Sequence, residues 1–231
     1  MAPLISLPAS AKPVNDVPLR YGAIVYPGFQ ALDLFGPLDA LNTLSLSYPL
    51  SLSVLAESLE PVSTKPPGTL GNQEADFGQT IVPTHTFADA PPIDVLIVPG
   101  GFGVRIPENV AAAIAYIAKV YPTLRYVVTV CTGSILVAQA GVLDGRAATT
   151  NKRSFVNMTA LRSQVNWVPH ARWVVDGNIW SSSGVSAGLD IIFAFMSEMY
   201  GEEVADTISD ILEYERHKDA AWDPYAEKYG L

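Results

Sequence analysis

Cys131 is the single cysteine of the chain, and it stands where the apolar run Arg125–Val130 ends and CTGSILVAQAG takes up helical spacing. A strand-to-helix turn lifts a side chain above the sheet edge and aims the first amides of the helix at it, which is the geometry of a nucleophile elbow. A thiolate at such a position gains from the positive end of the helix, an effect that contributes to cysteine pKa values of about 3.5–7.5. Free cysteine also packs as a small hydrophobe, so the residue type alone fits an inert core position and the elbow is what points to chemistry.

Asp33 lies in ALDLFGP, an apolar setting just after the first strand, where an unpartnered carboxyl tends to keep its proton. It either caps the helix that follows or, if the first strand neighbours the strand before Cys131, shares a proton with the thiol as a general acid/base. PGGFG (Pro99–Gly103) closes another apolar strand. Its amides, those of Gly101 and Phe102 above all, could face the same crevice and bind an oxyanion, or could form a plain βα turn. The glycine spacing fits neither nucleotide fingerprint, and no Lys-Ser or Lys-Thr pair follows. His85, His170 and His217 are tens of residues apart with no ligand neighbour at a metal-binding spacing, so no metal is expected.

The elements that must position these groups follow from periodicity. Tyr21–Tyr26 is a β-rich run closed by Pro27-Gly28, and QALDLFGPLDALNTL has helical spacing with Pro37 expected to interrupt it. Leu50–Ala56 alternates as a half-buried strand, and Glu57–Phe87 reads as loops with short strands such as Gln79–Val82. DVLIVPGG (Asp94–Gly101) and Arg125–Val130 are continuous apolar runs, the pattern of strands buried on both faces of a parallel sheet. A helix is expected over about residues 109–120, another after Cys131 stopped by Gly141, and a short strand in GRAATT. RWVVDGNIWSS reads as a hairpin around Asp176-Gly177. Ser186 is placed to cap the apolar helix that Gly201 ends, and Glu202–Tyr214 makes a last helix. Repeated βα units predict an α/β fold, an open parallel sheet with helices on both faces and active groups at the carboxyl ends of the strands.

Composition bounds the rest. With 231 residues, 49% hydrophobic and 16% charged, the chain can bury a proper core, and one domain over residues 21–231 after an extended proline-rich arm (1–20) is expected. A formal charge of −9 is the wrong sign for gripping phosphate backbones, so nucleic acid is not an expected partner. No apolar run approaches the ~20 residues that cross a bilayer, and the first residues have no basic head of a signal peptide. The expectation is therefore a soluble, cytoplasmic protein without a membrane partner. One cysteine excludes internal disulfides and cysteine-based zinc clusters.

YPGFQALDLFGPLDAL, DVLIVPGGFG, VVTVCTGSILVAQAGVLDGRAATT and DGNIWSSSGVSAGLDIIFAF together resemble successive blocks of the ThiJ/PfpI superfamily, from about residue 21 to residue 214. Within it the chain looks most like the isocyanide (isonitrile) hydratase branch and the similar domains fused to AraC-type regulators. The resemblance implies a flavodoxin-like sandwich, usually a homodimer, with no cofactor. It places the nucleophile on Cys131, a neighbouring hydroxyl on Thr132 and the essential acid on Asp33. Branches acting on glyoxals typically carry glutamate where this chain has Asp33, and the protease-like branch has histidine where it has Thr132. The chain departs from the hydratases at Asn151, where they commonly have histidine, and at the serine run Ser181, Ser182, Ser183 in place of glycines. Asn151, Ser183 and Val185 join Gly101 and Phe102 as expected substrate contacts. The implied activity is hydration of an isocyanide, a small electrophile, to an N-substituted formamide. The alternatives are a glutathione-independent glyoxalase-type reaction on α-oxoaldehydes and a non-catalytic sensor with an oxidisable Cys131. Because the chain ends soon after the last helix, a regulator of the AraC kind is not expected.

Overall fold

The computed structural model describes residues 5, 7–66, 68, 70, 72 and 74–231. The strands are β1 (Arg20–Ile24), β2 (Ser51–Ala56), β3 (Val62–Ser63), β4 (Thr80–Ile81), β5 (His85–Thr86), β6 (Val95–Val98), β7 (Tyr126–Thr129), β8 (Ala147–Ala148), β9 (Asn166–Trp167), β10 (Trp173–Asp176) and β11 (Ile179–Ser182). The helices are α1 (Ala31–Leu44), α2 (Pro107–Val120), α3 (Gly133–Gln139), α4 (Phe155–Thr159), α5 (Ala187–Tyr200), α6 (Glu202–Ile211) and α7 (Pro224–Lys228).

Seven strands form one sheet in the order β10-β11-β7-β6-β1-β2-β5, parallel throughout except for the β10–β11 hairpin, which turns at Gly177. Helices α1, α5 and α6 pack together on one face, and α2 and α3 on the other. The fold is the mostly parallel α/β sandwich that the run of βα units predicts. All four residues of β6 are fully buried, as a central strand covered on both faces requires. At the amino edge Asp94 sets the register of β1 against β6: it accepts from the backbone amides of Leu19 and Arg20, both at 3.0 Å, and pairs with the Arg20 guanidinium at 2.6 Å.

After β1 the chain goes to β2 on one side, then returns to place β6 on the other. The strand order reverses at β1 and β6, and a crevice opens at the carboxyl ends of strands at such a switch point. Asp33, Gly101 and Cys131 follow β1, β6 and β7, three adjacent strands, so the topology delivers all three to one edge.

Several local expectations are corrected. Helix α1 runs unbroken through Pro37; proline removes only the donor to the Asp33 carbonyl, and packing of α1 against α5 holds the helix. Ser186 precedes α5 but makes no side-chain cap, because its own backbone is already helical. The last long helix stops at Ile211, and Glu213 takes a positive φ of 50° soon after, which ends the helical path. Helices α4 and α7, five residues each, are too short to show a hydrophobic period in sequence. Around Lys12 the chain lies against its own domain, followed by a 3-10 turn at Val14–Asp16; Lys12 Nζ donates to the Glu198 carbonyl at 2.6 Å and Tyr48 Oη to the Lys12 carbonyl at 2.9 Å. No helix among the described residues is long and apolar enough to cross a membrane.

Candidate active site

Cys131 sits between β7 and α3 with φ at 58°, in the left-handed region, which costs a non-glycine residue on the order of 1–3 kcal/mol. Neighbours hold it there. The Cys131 carbonyl accepts from Ser134 Oγ at 3.2 Å and Thr150 Oγ1 at 3.1 Å, and the Gly133 amide donates to the Val130 carbonyl at 2.9 Å. The turn must also lie against β6: a Cβ on Gly133 would stand 2.1 Å from the Val98 carbonyl oxygen, so only glycine admits this approach.

Asp33 is in the first turn of α1, fully buried, and does not cap it. Its Oδ2 accepts from the Gly100 amide at 3.0 Å, while Oδ1 is buried without a hydrogen-bond partner. Burial pushes this carboxyl up to about 7, and the Gly100 amide and the Cys131 thiol offset part of the rise. The thiol moves the same way. Burial pushes Cys131 well up and the Asp33 charge adds to it, against donors from the Thr132 backbone and from the Asn151 and Thr132 side chains. This direction is opposite to the one expected at a helix amino end: Cys131 is buried, 5% exposed, and desolvation disfavours its charged form. Burial thus raises both groups, the carboxyl to about 7.

The amides of the Pro99-Gly100-Gly101 turn are taken up by Asp33 and Thr132. Gly101 has φ 143° and forms a bridge with Phe29, and its amide donates to Thr132 Oγ1 at 3.0 Å. The Gly101 amide is thus engaged rather than open to an oxyanion, and the Phe102 amide is the donor of this turn without a partner among the described residues. Thr132 Oγ1 accepts from the Gly101 amide, and its one proton is shared between the Gly101 carbonyl at 3.5 Å and the sulfur.

A cavity of about 240 Å³ opens over Cys131, lined by Gly101, Phe102, Thr132, Asn151 and Val185 among others. Asn151 is the amino cap of the turn Lys152–Ser154, its Oδ1 accepting from the Ser154 amide at 3.1 Å, which leaves its amide nitrogen for the sulfur. Ser183 does not line this cavity. It faces an adjoining chamber of about 300 Å³ that shares Asn151, Arg153 and Val185 with the first and is walled by Tyr225 and Tyr229 near the carboxyl terminus. Gln30, Arg105, Arg153 and Ser154 also line the Cys131 cavity and were not anticipated; the sequence signal for two of them was proximity, Arg153 standing two residues after Asn151 and Gln30 three before Asp33. No group of three or more His, Cys, Asp or Glu that could hold a metal ion occurs among the described residues.

A doubly wound α/β sheet with a cysteine on a strained elbow, at the carboxyl edge beside a buried carboxyl, defines a class of cysteine-bearing sandwich proteins. The chain belongs to the DJ-1/PfpI family, whose model matches residues 23–198. It is 32% identical over 197 residues to an isonitrile hydratase of Pseudomonas putida, covering 85% of this chain and 78% of that protein. It is 37% identical over 108 residues to the deglycase PH1704 of Pyrococcus horikoshii, covering 46% of this chain and 59% of that protein. Among solved structures, a THiJ/PfpI family protein from Pseudomonas syringae superposes with a TM-score of 0.69 at 27% identity, over 92% of this chain and 83% of that one.

Proposed function

We propose that the protein is a cofactor-free, cysteine-dependent hydratase that converts an isocyanide to an N-substituted formamide. The observation that carries this reading is the buried Asp33 carboxyl, with Oδ1 unpartnered, beside the Cys131 thiol, supported by the likeness to the P. putida isonitrile hydratase. An isocyanide needs a nucleophile and a proton at the same terminal carbon. Ionised Asp33 takes the thiol proton as the carbon–sulfur bond forms, then delivers it to that carbon, giving a thioimidate, R–N=CH–S–Cys131. Water adds to the thioimidate carbon, nitrogen gains a proton, and the carbon–sulfur bond breaks to release R–NH–CHO and the free thiol. The Phe102 amide, Thr132 hydroxyl and Asn151 amide are the donors that steady developing charge and water. Residues 21–231 act as one domain, and the working form is a homodimer.

Incubation with cyclohexyl isocyanide, with the formamide product followed by absorbance, tests the reading. Turnover in the wild type and none in Cys131→Ala is the expected result; equal rates would sink it. The deglycase relative favours one second reading, hemithioacetal formation on an α-oxoaldehyde by the same pair. Lactate from methylglyoxal without glutathione, and no formamide, would select it.

A further inference from the structure

We propose that the Cys131 cavity selects electrophiles that carry a carboxylate or a comparable anionic group, recognised by Arg105 and Arg153. This deepens the reading above and rests on Cys131 being the nucleophile. Five of the eight arginines, Arg20, Arg146, Arg162, Arg172 and Arg216, are ion-paired with carboxylates. A sixth, Arg125, reaches the Asp16 carbonyl at 3.3 Å. The remaining two, Arg105 and Arg153, have no carboxylate partner among the described residues and both line the cavity over Cys131. In a chain with 23 acids against 14 cations, two unneutralised guanidinium groups at one mouth depart from the rest of the surface. Neither this cavity nor the chamber beside it has Asp or Glu in its lining.

Arg105 is also held in place. Its Nη2 donates to Ser154 Oγ at 3.0 Å, and its guanidinium lies 5.0 Å from the Phe102 ring centroid, so the group is oriented before any ligand arrives. Arg153 leaves the same turn that Asn151 caps and borders both the cavity and the chamber. A planar guanidinium fork matches a carboxylate with two parallel hydrogen bonds, which a neutral ester or amide of the same shape cannot reproduce.

Two measurements test this, one of them independent of turnover. The first is the kcat/KM ratio of isocyanoacetate to methyl isocyanoacetate. The second is the ratio of Cys131 alkylation rates by iodoacetate and iodoacetamide, scaled to the same ratio for glutathione. Both ratios are expected to favour the anion by about 10-fold or more and to shrink at about 0.5 M salt. They should fall to the free-thiol value in Arg105→Gln/Arg153→Gln and recover in part in Arg105→Lys/Arg153→Lys. A wild-type alkylation ratio equal to that of glutathione, ratios unchanged in the double glutamine variant, or a thiol that neither reagent reaches would overturn the proposal. Preferential iodoacetate labelling without turnover of either isocyanide would support the anion pocket while sinking the hydratase reading alone.

Discussion

Burial moves both titratable groups of the site upward, Asp33 to about 7 and Cys131 well above its ordinary range, so the reactive form needs Asp33 ionised and ready to receive the thiol proton. The kcat/KM for an isocyanide should therefore rise about tenfold per pH unit below 7 and level off above it; a profile flat from pH 5 to 9 would contradict a shared proton. Asp33→Asn should lower kcat/KM by roughly 10²–10⁴-fold. The same substitution has an opposite effect on stability. Folded Asp33 binds its proton more tightly than the unfolded chain does, so this contribution is greatest below the ordinary value of 3.8 and is lost as pH rises to about 7. At about 1.4 kcal/mol per pH unit, ionised Asp33 costs up to about 4 kcal/mol. Asp33→Asn should thus unfold at a higher temperature than wild type at pH 8 and show little gain at pH 4, readable by thermal denaturation at the two pH values.

Two connections between elements carry the site. The elbow depends on α3 starting against the end of β6, where a side chain at Gly133 would meet the Val98 carbonyl. Gly133→Ala should cost about 2 kcal/mol or more through backbone displacement, a fall of roughly 4–8 °C in Tm for a chain of this length. The second connection is the ion pair of Lys152 with Asp223 at 3.4 Å, both side chains 1% exposed. Lys152 Nζ donates to Thr149 Oγ1 at 2.5 Å and to the Thr150 carbonyl at 3.3 Å, while Asp223 Oδ1 caps α7 by accepting from the Tyr225 amide at 3.0 Å. Removing the carboxylate leaves a buried ammonium without its counter-charge, which typically costs about 3–5 kcal/mol. Asp223→Ala should therefore lose stability by that amount. It should also release the helix that walls the second chamber, seen as faster amide exchange over residues 224–228 than in wild type.

For the whole molecule, the doubly wound order explains why residues about a hundred positions apart share one cavity: β1, β6 and β7 are neighbours whose carboxyl ends open to the same side. The homodimer proposed above is checked by light scattering, which should give a mass twice the 24.8 kDa of the chain; a monomer at micromolar concentration would contradict it. With a formal charge of −9 the surface as a whole repels anions, so selection for an anionic substrate has to come from the local field at the mouth of the cavity.

The main βα units and the elbow at Cys131 were legible in the sequence, and the motif blocks pointed to Asp33 and Thr132 as neighbours of that residue. They are carried by local periodicity, turn chemistry and motif blocks, and each of these is written in neighbouring residues. Tertiary packing decided the rest. The upward shift of the pair comes from desolvation, a sum over atoms brought from distant segments, and it runs against the downward shift expected of a helix-end thiolate. The engagement of the Gly101 amide by Thr132, the continuity of α1 through Pro37 and the separation of Ser183 from the Cys131 cavity likewise depend on how distant elements pack. Arg105 and Arg153 stand out only in three dimensions, because an unpaired cation is defined by the carboxylates that fail to reach it.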